Sequence, residues 1–192
     1  MPIEREFKFI LHSPEKVLEK VLRDASCTGN ADINQGYLSK GGRVRSRKWW
    51  MKGGQIFYDS PALAKIEYIF TYKHDLLSQP GVLEIETELS EDDFKLAWAD
   101  ADHKIVKARY LLTGEGKQVW ELDFFRDSQG NYLALAELEV PADSGPPDRL
   151  HPLVEEFLLY TVPEGDSRFA NRRLCTREKV EVLLQEIAQQ NG

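Results

Sequence analysis

Three residues near the start of the chain, Glu4, Glu6 and Lys8 in "IEREFKF", share one side of an extended strand, with Phe7 and Phe9 on the other. The spacing recurs. "RVRSR" sets Arg43, Arg45 and Arg47 on one side, and "FTYK" brings Thr71 and Lys73 together. "LEIETEL" places Glu84, Glu86 and Glu88 opposite Leu83, Ile85, Thr87 and Leu89. "IVKARY" supplies Lys107 and Arg109, "WELDF" supplies Glu121 and Asp123, and "LAELEV" supplies Glu137 and Glu139. Clustered carboxylates suit a hard divalent cation, which takes oxygen ligands. Clustered Arg and Lys suit a polyanion with repeated oxygens, because Arg offers forked donors and Lys a compact point charge. A metal-bridged oligophosphate satisfies both sets at once.

Two readings of these faces stand side by side. Antiparallel sheets often keep one solvated face, which collects charges that pair across strands. Solvated faces usually mix in Thr, Ser, Gln and Asn, however, whereas these positions are nearly all Glu, Asp, Lys or Arg. If the apolar faces pack on helices, the charged faces turn toward one another inside a curled sheet. Charge enclosed in this way has to be paired or bound to ions.

The elements that must position these residues are legible in outline. Alternating patterns predict strands over 2–10, about 34–50, 55–58, 65–73, 82–89, 104–112, 118–126 and 132–140. Turn signals at Lys52-Gly53-Gly54, Gln79-Pro80-Gly81, Gly114-Glu115-Gly116 and Asp127 to Gly130 imply short connections and hence antiparallel pairing. Helices are predicted after Ser13-Pro14-Glu15, with Val17, Leu18, Val21 and Leu22 at helical spacing, and after the capping-box-like Ser90-Glu91-Asp92-Asp93. Two more run from Pro147 to about Tyr160 and from Thr176 onward. "VPADSGPPD" (140–148) reads as a loop.

Composition bounds the rest. The 192 residues, 42% hydrophobic and 30% charged, fit a single domain over 1–192 with a C-terminal helix at about 176–190. A net charge of −7 argues against general nucleic-acid binding, since no basic excess exists to displace counterions. No apolar run reaches the roughly 20 residues that cross a bilayer, and the start lacks a signal-peptide layout. Cys27 and Cys175, far apart and outside any CxxC pattern, read as free thiols in a reducing cytoplasm. His12, His74, His103 and His151 show no ligand spacing, Asp100 and Asp102 read as a solvated helix end, and neither a P-loop nor a GxSxG elbow is present.

Glu4-x-Glu6-x-Lys8 resembles the ExExK signature of the CYTH superfamily, the triphosphate tunnel metalloenzymes. Alone that pattern is weak. The order of "QGYLS" (35–39), "RVRSR", "FTYK", "LEIETEL", "IVKARY", "VWELDFF" (119–125), "LAELEV" and "DSRFANRRL" (166–174) is also similar to the family's blocks, from residue 3 to 174. The resemblance implies an α+β fold, a closed or nearly closed eight-stranded antiparallel barrel with helices outside. It implies a triphosphate lying inside with Mg²⁺ or Mn²⁺.

By position in those blocks, Glu4, Glu6, Glu137 and Glu139 would bind metal, and with Lys8 form the catalytic set. Lys8, Arg43, Arg45, Lys73, Lys107 and Arg109 would hold phosphate oxygens, with Arg168 and Asn171 near the tunnel mouth. Glu84, Glu86, Glu121 and Asp123 would line the wall, orienting bases or serving a second metal. Arg47 replaces Arg43 if the register of "RVRSR" shifts by two. Val82 departs from the family, which often carries Arg there. The stretch from Lys48 to Tyr68 is unusually aromatic; Trp49, Trp50, Phe57 and Tyr58 either stack on a base or pack on the barrel.

The resemblance therefore implies a metal-dependent cytoplasmic hydrolase releasing orthophosphate from tripolyphosphate or an organic triphosphate such as thiamine triphosphate. A class IV adenylate cyclase making cyclic AMP and pyrophosphate is one alternative, and a non-catalytic polyphosphate or nucleotide binder is another. The implied partner is a small triphosphate, with no nucleic acid or membrane, and a homodimer remains open.

Overall fold

The computed structural model describes residues 4–50, 63–75, 82–141 and 143–190. Among them, nine strands form one antiparallel sheet: β1 (Glu4–Leu11), β2 (Cys27–Tyr37), β3 (Arg43–Trp50), β4 (Leu63–Asp75), β5 (Val82–Glu88), β6 (His103–Thr113), β7 (Val119–Asp127), β8 (Gly130–Pro141) and β9 (Leu158–Thr161). Their spatial order is β5-β4-β3-β2-β6-β7-β8-β1-β9. Four helices accompany them: α1 (Pro14–Val21), α2 (Glu91–Ala99), α3 (Pro152–Phe157) and α4 (Arg177–Gln190).

The expected α+β class holds, while the sheet has nine strands among the described residues where a closed or nearly closed eight-stranded barrel was expected. Among the described residues, no pairing joins the edge strands β5 and β9. The extra strand comes from Leu158-Leu159-Tyr160-Thr161, which the apolar stripe had assigned to a helix from Pro147 to Tyr160. The helix is only six residues long, and the chain then turns extended to pair with Phe9, Ile10 and Leu11. Tertiary pairing outweighs a weak local helical pattern here. The predicted strand over 34–50 is likewise two strands, broken by Gly41 and Gly42, whose φ values of 89° and 94° suit glycine. The predicted strand 55–58 lies outside the described residues.

One face of the sheet is apolar along β1, β7 and β8, with polar residues such as Asp32 and Asn34 of β2 and Ser46 of β3 farther along it. Phe9 and Leu11 of β1, Trp120, Leu122 and Phe124 of β7, and Ala134, Ala136 and Leu138 of β8 are buried there with Val17 and Val21 of α1 and Phe157 of α3. The small Ala134 and Ala136 leave room for α1 to lie against β8. On the same side α2 covers β2, β3 and β4. Gly36 makes that approach possible, since a Cβ there would lie 2.8 Å from Ala101 Cβ.

The opposite face changes character along its length. Ile10, Ile105, Phe125, Leu133 and Leu135 form its apolar end, buried under Phe169, Leu174 and, from α4, Val180, Leu183 and Ile187. Arg177, at the start of α4, anchors this plug by donating to Asp127 at 2.8 and 2.9 Å and to Gly130 O at 3.1 Å. Beyond the plug the same face carries the charged residues.

That face is concave. Tyr37 on β2 and Lys8 on β1 are four strand spacings apart, roughly 19 Å in a flat sheet. Tyr37 nevertheless lies within electrostatic reach of Lys8, so the sheet curls to bring its two halves together. No helix among the described residues is long and apolar enough to cross a membrane.

Candidate functional site

The acidic wall of the trough is built by β1, β8, β7 and β6. Register sets Lys8 opposite Glu137, Glu137 opposite Glu121, and Asp123 opposite Arg109, all facing the trough. Like charges directly opposite would repel, and the structure answers with cations. Lys8 Nζ lies 2.5 Å from Glu137 Oε1 and 2.9 Å from Glu6 Oε2. Arg109 spans three acids: it donates to Asp123 at 2.6 and 2.7 Å, to Glu137 at 3.2 Å, and is ion-paired to Glu121. Lys107, fully buried, pairs with Asp123, and its ammonium sits 5.1 Å from the centre of the Phe125 ring, where the charged half meets the plug.

Burial works against every charge in this group. It pushes Lys107 below its ordinary range despite Asp123. It also pushes the Glu121 carboxyl up, and Arg109 offsets this only in part. Elsewhere the partners win over burial: Arg109 and then Lys107 hold Asp123 well below the usual carboxylate range, Lys8 holds Glu137 down, and Glu137 holds Lys8 up. Every base on this wall is paired with at least one acid.

The wall made by β3 and β4 is different. Arg43, Arg45 and Arg47 face the trough together, opposite Thr71, Ile69 and Glu67, so one strand presents all three. Arg45 has Glu86 at 3.4 Å, Arg47 has Glu67 at 3.9 Å, and Arg43 reaches Thr71 Oγ1 at 3.4 Å. Thr71 in turn donates to Glu86 at 2.9 Å. These contacts are long for charge-assisted bonds. Among the described residues, the buried Nε atoms of Arg45 and Arg47 have no acceptor. Burial, then crowding by Arg43, Arg47 and Arg109, lowers Arg45 to about 9, and burial lowers Arg47 as well. Buried donors without acceptors are uncommon in folded proteins, and here two stand in line.

The sequence-predicted residues are thus brought together in most cases. Glu6, Lys8, Arg43, Arg45, Glu86, Lys107, Arg109, Glu121, Asp123, Glu137 and Glu139 share the trough face by register. Lys73 and Glu84 are register partners on β4 and β5, and Glu4 pairs with Pro141, but these three side chains lie outside the described residues. Arg168 is directed elsewhere: Asp166 accepts from it at 2.7 and 3.1 Å, and Glu186 lies 3.7 Å away. Trp49 is tied to Glu67 at 2.9 Å, while Phe57 and Tyr58 lie outside the described residues.

Sequence reasoning missed two neighbours of the arginine row. Tyr37, whose hydroxyl accepts from Gln35 at 2.7 Å, and Arg172 line a cavity of about 220 Å³ with Arg43 and Thr71. "QGYLS" and "NRRL" were the signals, but nothing local ties them to strand β3.

For a divalent cation, Glu6 and Glu139 stand directly opposite on β1 and β8, both exposed. Two opposed carboxylates are the right donor chemistry for Mg²⁺ or Mn²⁺. Among the described residues no group of three or more His, Cys, Asp or Glu side chains is placed to hold a metal ion, and the Glu4 side chain lies outside the described residues. Glu137 is already committed to Lys8 and Arg109.

No protein-family model matches the sequence, and no curated protein does. The fold does have matches. The crystal structure of the hypothetical protein NE1496 superposes with a TM-score of 0.52 at 22% identity, covering 90% of this chain and 97% of that one. A structure described as the inorganic triphosphatase NE1496 gives 0.51 at 21% identity, covering 91% and 95%. The PH1819 protein from Pyrococcus horikoshii gives 0.43 at 20% identity, covering 96% and 89%.

Proposed function

We propose that this chain, which shares the fold of the triphosphate tunnel proteins, hydrolyses a triphosphate laid along its trough and releases orthophosphate. The observation that supports this most directly is the row on β3. Arg45 and Arg47 are half-buried, with buried Nε donors that meet no acceptor among the described residues, beside a wall whose bases are already paired with acids. A chain of phosphates brings an acceptor to each, with forked geometry suited to guanidinium. The match to a protein described as an inorganic triphosphatase points the same way.

Phosphoryl transfer asks the protein for alignment and charge neutralisation. Arg43, Arg45 and Arg47 would hold the chain along one wall, while Lys8 and Arg109, fixed by Glu137 and Asp123, present positive charge from the other. Water adds to the terminal phosphorus in line, the anhydride bond breaks with the rest of the chain (pyrophosphate, from tripolyphosphate) as leaving group, and the terminal group is released as orthophosphate. Glu121, whose carboxyl burial raises, is an acid of the wall that could take the proton of that water. Glu6 and Glu139, with Glu4, would hold Mg²⁺ or Mn²⁺, whose chemistry when bound is neutralisation of phosphate oxygens.

One panel tests the reading: tripolyphosphate, thiamine triphosphate and ATP, each with Mg²⁺ or Mn²⁺, scored for orthophosphate, pyrophosphate and cyclic AMP. Orthophosphate from tripolyphosphate supports it. Cyclic AMP with pyrophosphate from ATP would replace it with the cyclase reading, and binding without any product would replace it with the sensor reading.

A further inference from the structure

The arginine row does not stop at Arg43. Arg47, Arg45 and Arg43 climb β3 toward the plugged end of the trough, spanning roughly 14 Å at strand rise. On that side the plug leaves the 220 Å³ cavity where Arg172 joins Arg43 and Tyr37. Arg172 also lines a second cavity of about 790 Å³, between α4 and the start of β6, whose walls include His103, Arg173, Lys179 and Val182. One side chain therefore borders both spaces.

The charges of the outer cavity are unbalanced toward the positive. Arg172 and Arg173 are exposed and make no ion pair among the described residues. Facing them are Glu178 and Glu186, and the second is shared with Arg168. Inside the trough Arg43, Arg45 and Arg47 already supply the guanidinium groups that a triphosphate meets under the proposed reading. Cations beyond them are surplus to such a substrate and fit a further oxyanion.

We propose, resting on the triphosphatase reading, that Arg172 continues the β3 row into a second phosphate subsite formed by Arg173, Lys179 and His103. This subsite takes additional units of a linear polyphosphate longer than three. A neutral organic tail would find cationic walls there without partners, so a further anionic unit is the better fit.

The test compares binding of tripolyphosphate and of a longer linear polyphosphate, by calorimetry, to the full chain and to the Arg173→Gln/Lys179→Gln variant, which changes the outer cavity only. The native protein should hold the longer chain about tenfold more tightly, an advantage that shrinks with added salt. In the variant that advantage should vanish, while tripolyphosphate affinity stays within roughly twofold, as for surface substitutions. Equal affinities for the two chains in the native protein, or an unchanged ratio in the variant, would overturn the outer subsite and leave the triphosphatase reading intact. Failure of the native protein to bind either chain would overturn both.

Discussion

Lys8 on β1 and Glu137 on β8 stand directly opposite one another, with Nζ and Oε1 2.5 Å apart. Glu137 also receives Arg109 at 3.2 Å, so its carboxylate belongs to a buried ion network. Glu139, two residues on and exposed, faces Glu6 instead. Neighbouring acids of one strand thus have different work.

Glu137→Gln should therefore act on stability, lowering it by about 3–5 kcal/mol because Lys8 loses its buried partner. Glu139→Gln and Glu6→Gln should leave the denaturant midpoint nearly unchanged. Those two should instead cut metal-dependent orthophosphate release from tripolyphosphate by roughly 10²-fold. Urea melts and phosphate assays on the three variants check this; equal stability losses at all three positions would refute the division.

Asp123→Asn should be the most damaging change in the trough. Asp123 is the common partner of Lys107 and Arg109 and is itself fully buried. Its loss leaves buried Lys107 and half-buried Arg109 short of an anion, costing about 3–5 kcal/mol. A chemical denaturation curve reads this directly, and a change below 1 kcal/mol would show that Glu137 and Glu121 suffice.

Arg45→Met should trade function for stability. The side chain carries an unmet donor and the repulsion of Arg43, Arg47 and Arg109, so its removal should raise Tm by about 2–4 °C. Tripolyphosphate binding should weaken by roughly 10- to 100-fold, the worth of a charge-assisted bond. A scanning melt without ligand and a titration with it separate the two effects; a fall in Tm would contradict the account of Arg45.

Stability should also fall on mild acidification through His151. Its Nδ1 accepts from Leu153 N at 3.2 Å, capping α3, and its Nε2 meets Ser26 Oγ at 3.1 Å, with Asp24 beyond. Burial lowers this imidazole below its ordinary range, against the pull of Asp24. Its contribution is complete above the ordinary value of about 6.5 and is lost as pH falls through the lower folded value. Thermal melts from pH 7.5 to 5.5 should show a slope that His151→Asn, another capping residue, flattens.

The strand at Glu4–Leu11, the capped helix at Glu91–Ala99 and the hairpin at Asp127 to Gly130 were all readable locally, because alternation, capping and turn chemistry act over a few residues. The segment 158–161 was not, since its helix-like apolar spacing is overridden by pairing with β1.

The same divide runs through the site. By itself the sequence determined which residues carry charge and that each strand turns them to one side, for a period of two is a property of the extended backbone. Only the tertiary structure decided their roles. It joined Arg109 to acids from two other strands, committed Glu137 to Lys8, turned Arg168 to Asp166, and left Arg45 and Arg47 without enough acceptors. Those outcomes depend on cross-strand register and on the curl of the sheet. Both are set by the packing of distant segments, and no window of neighbouring residues contains them.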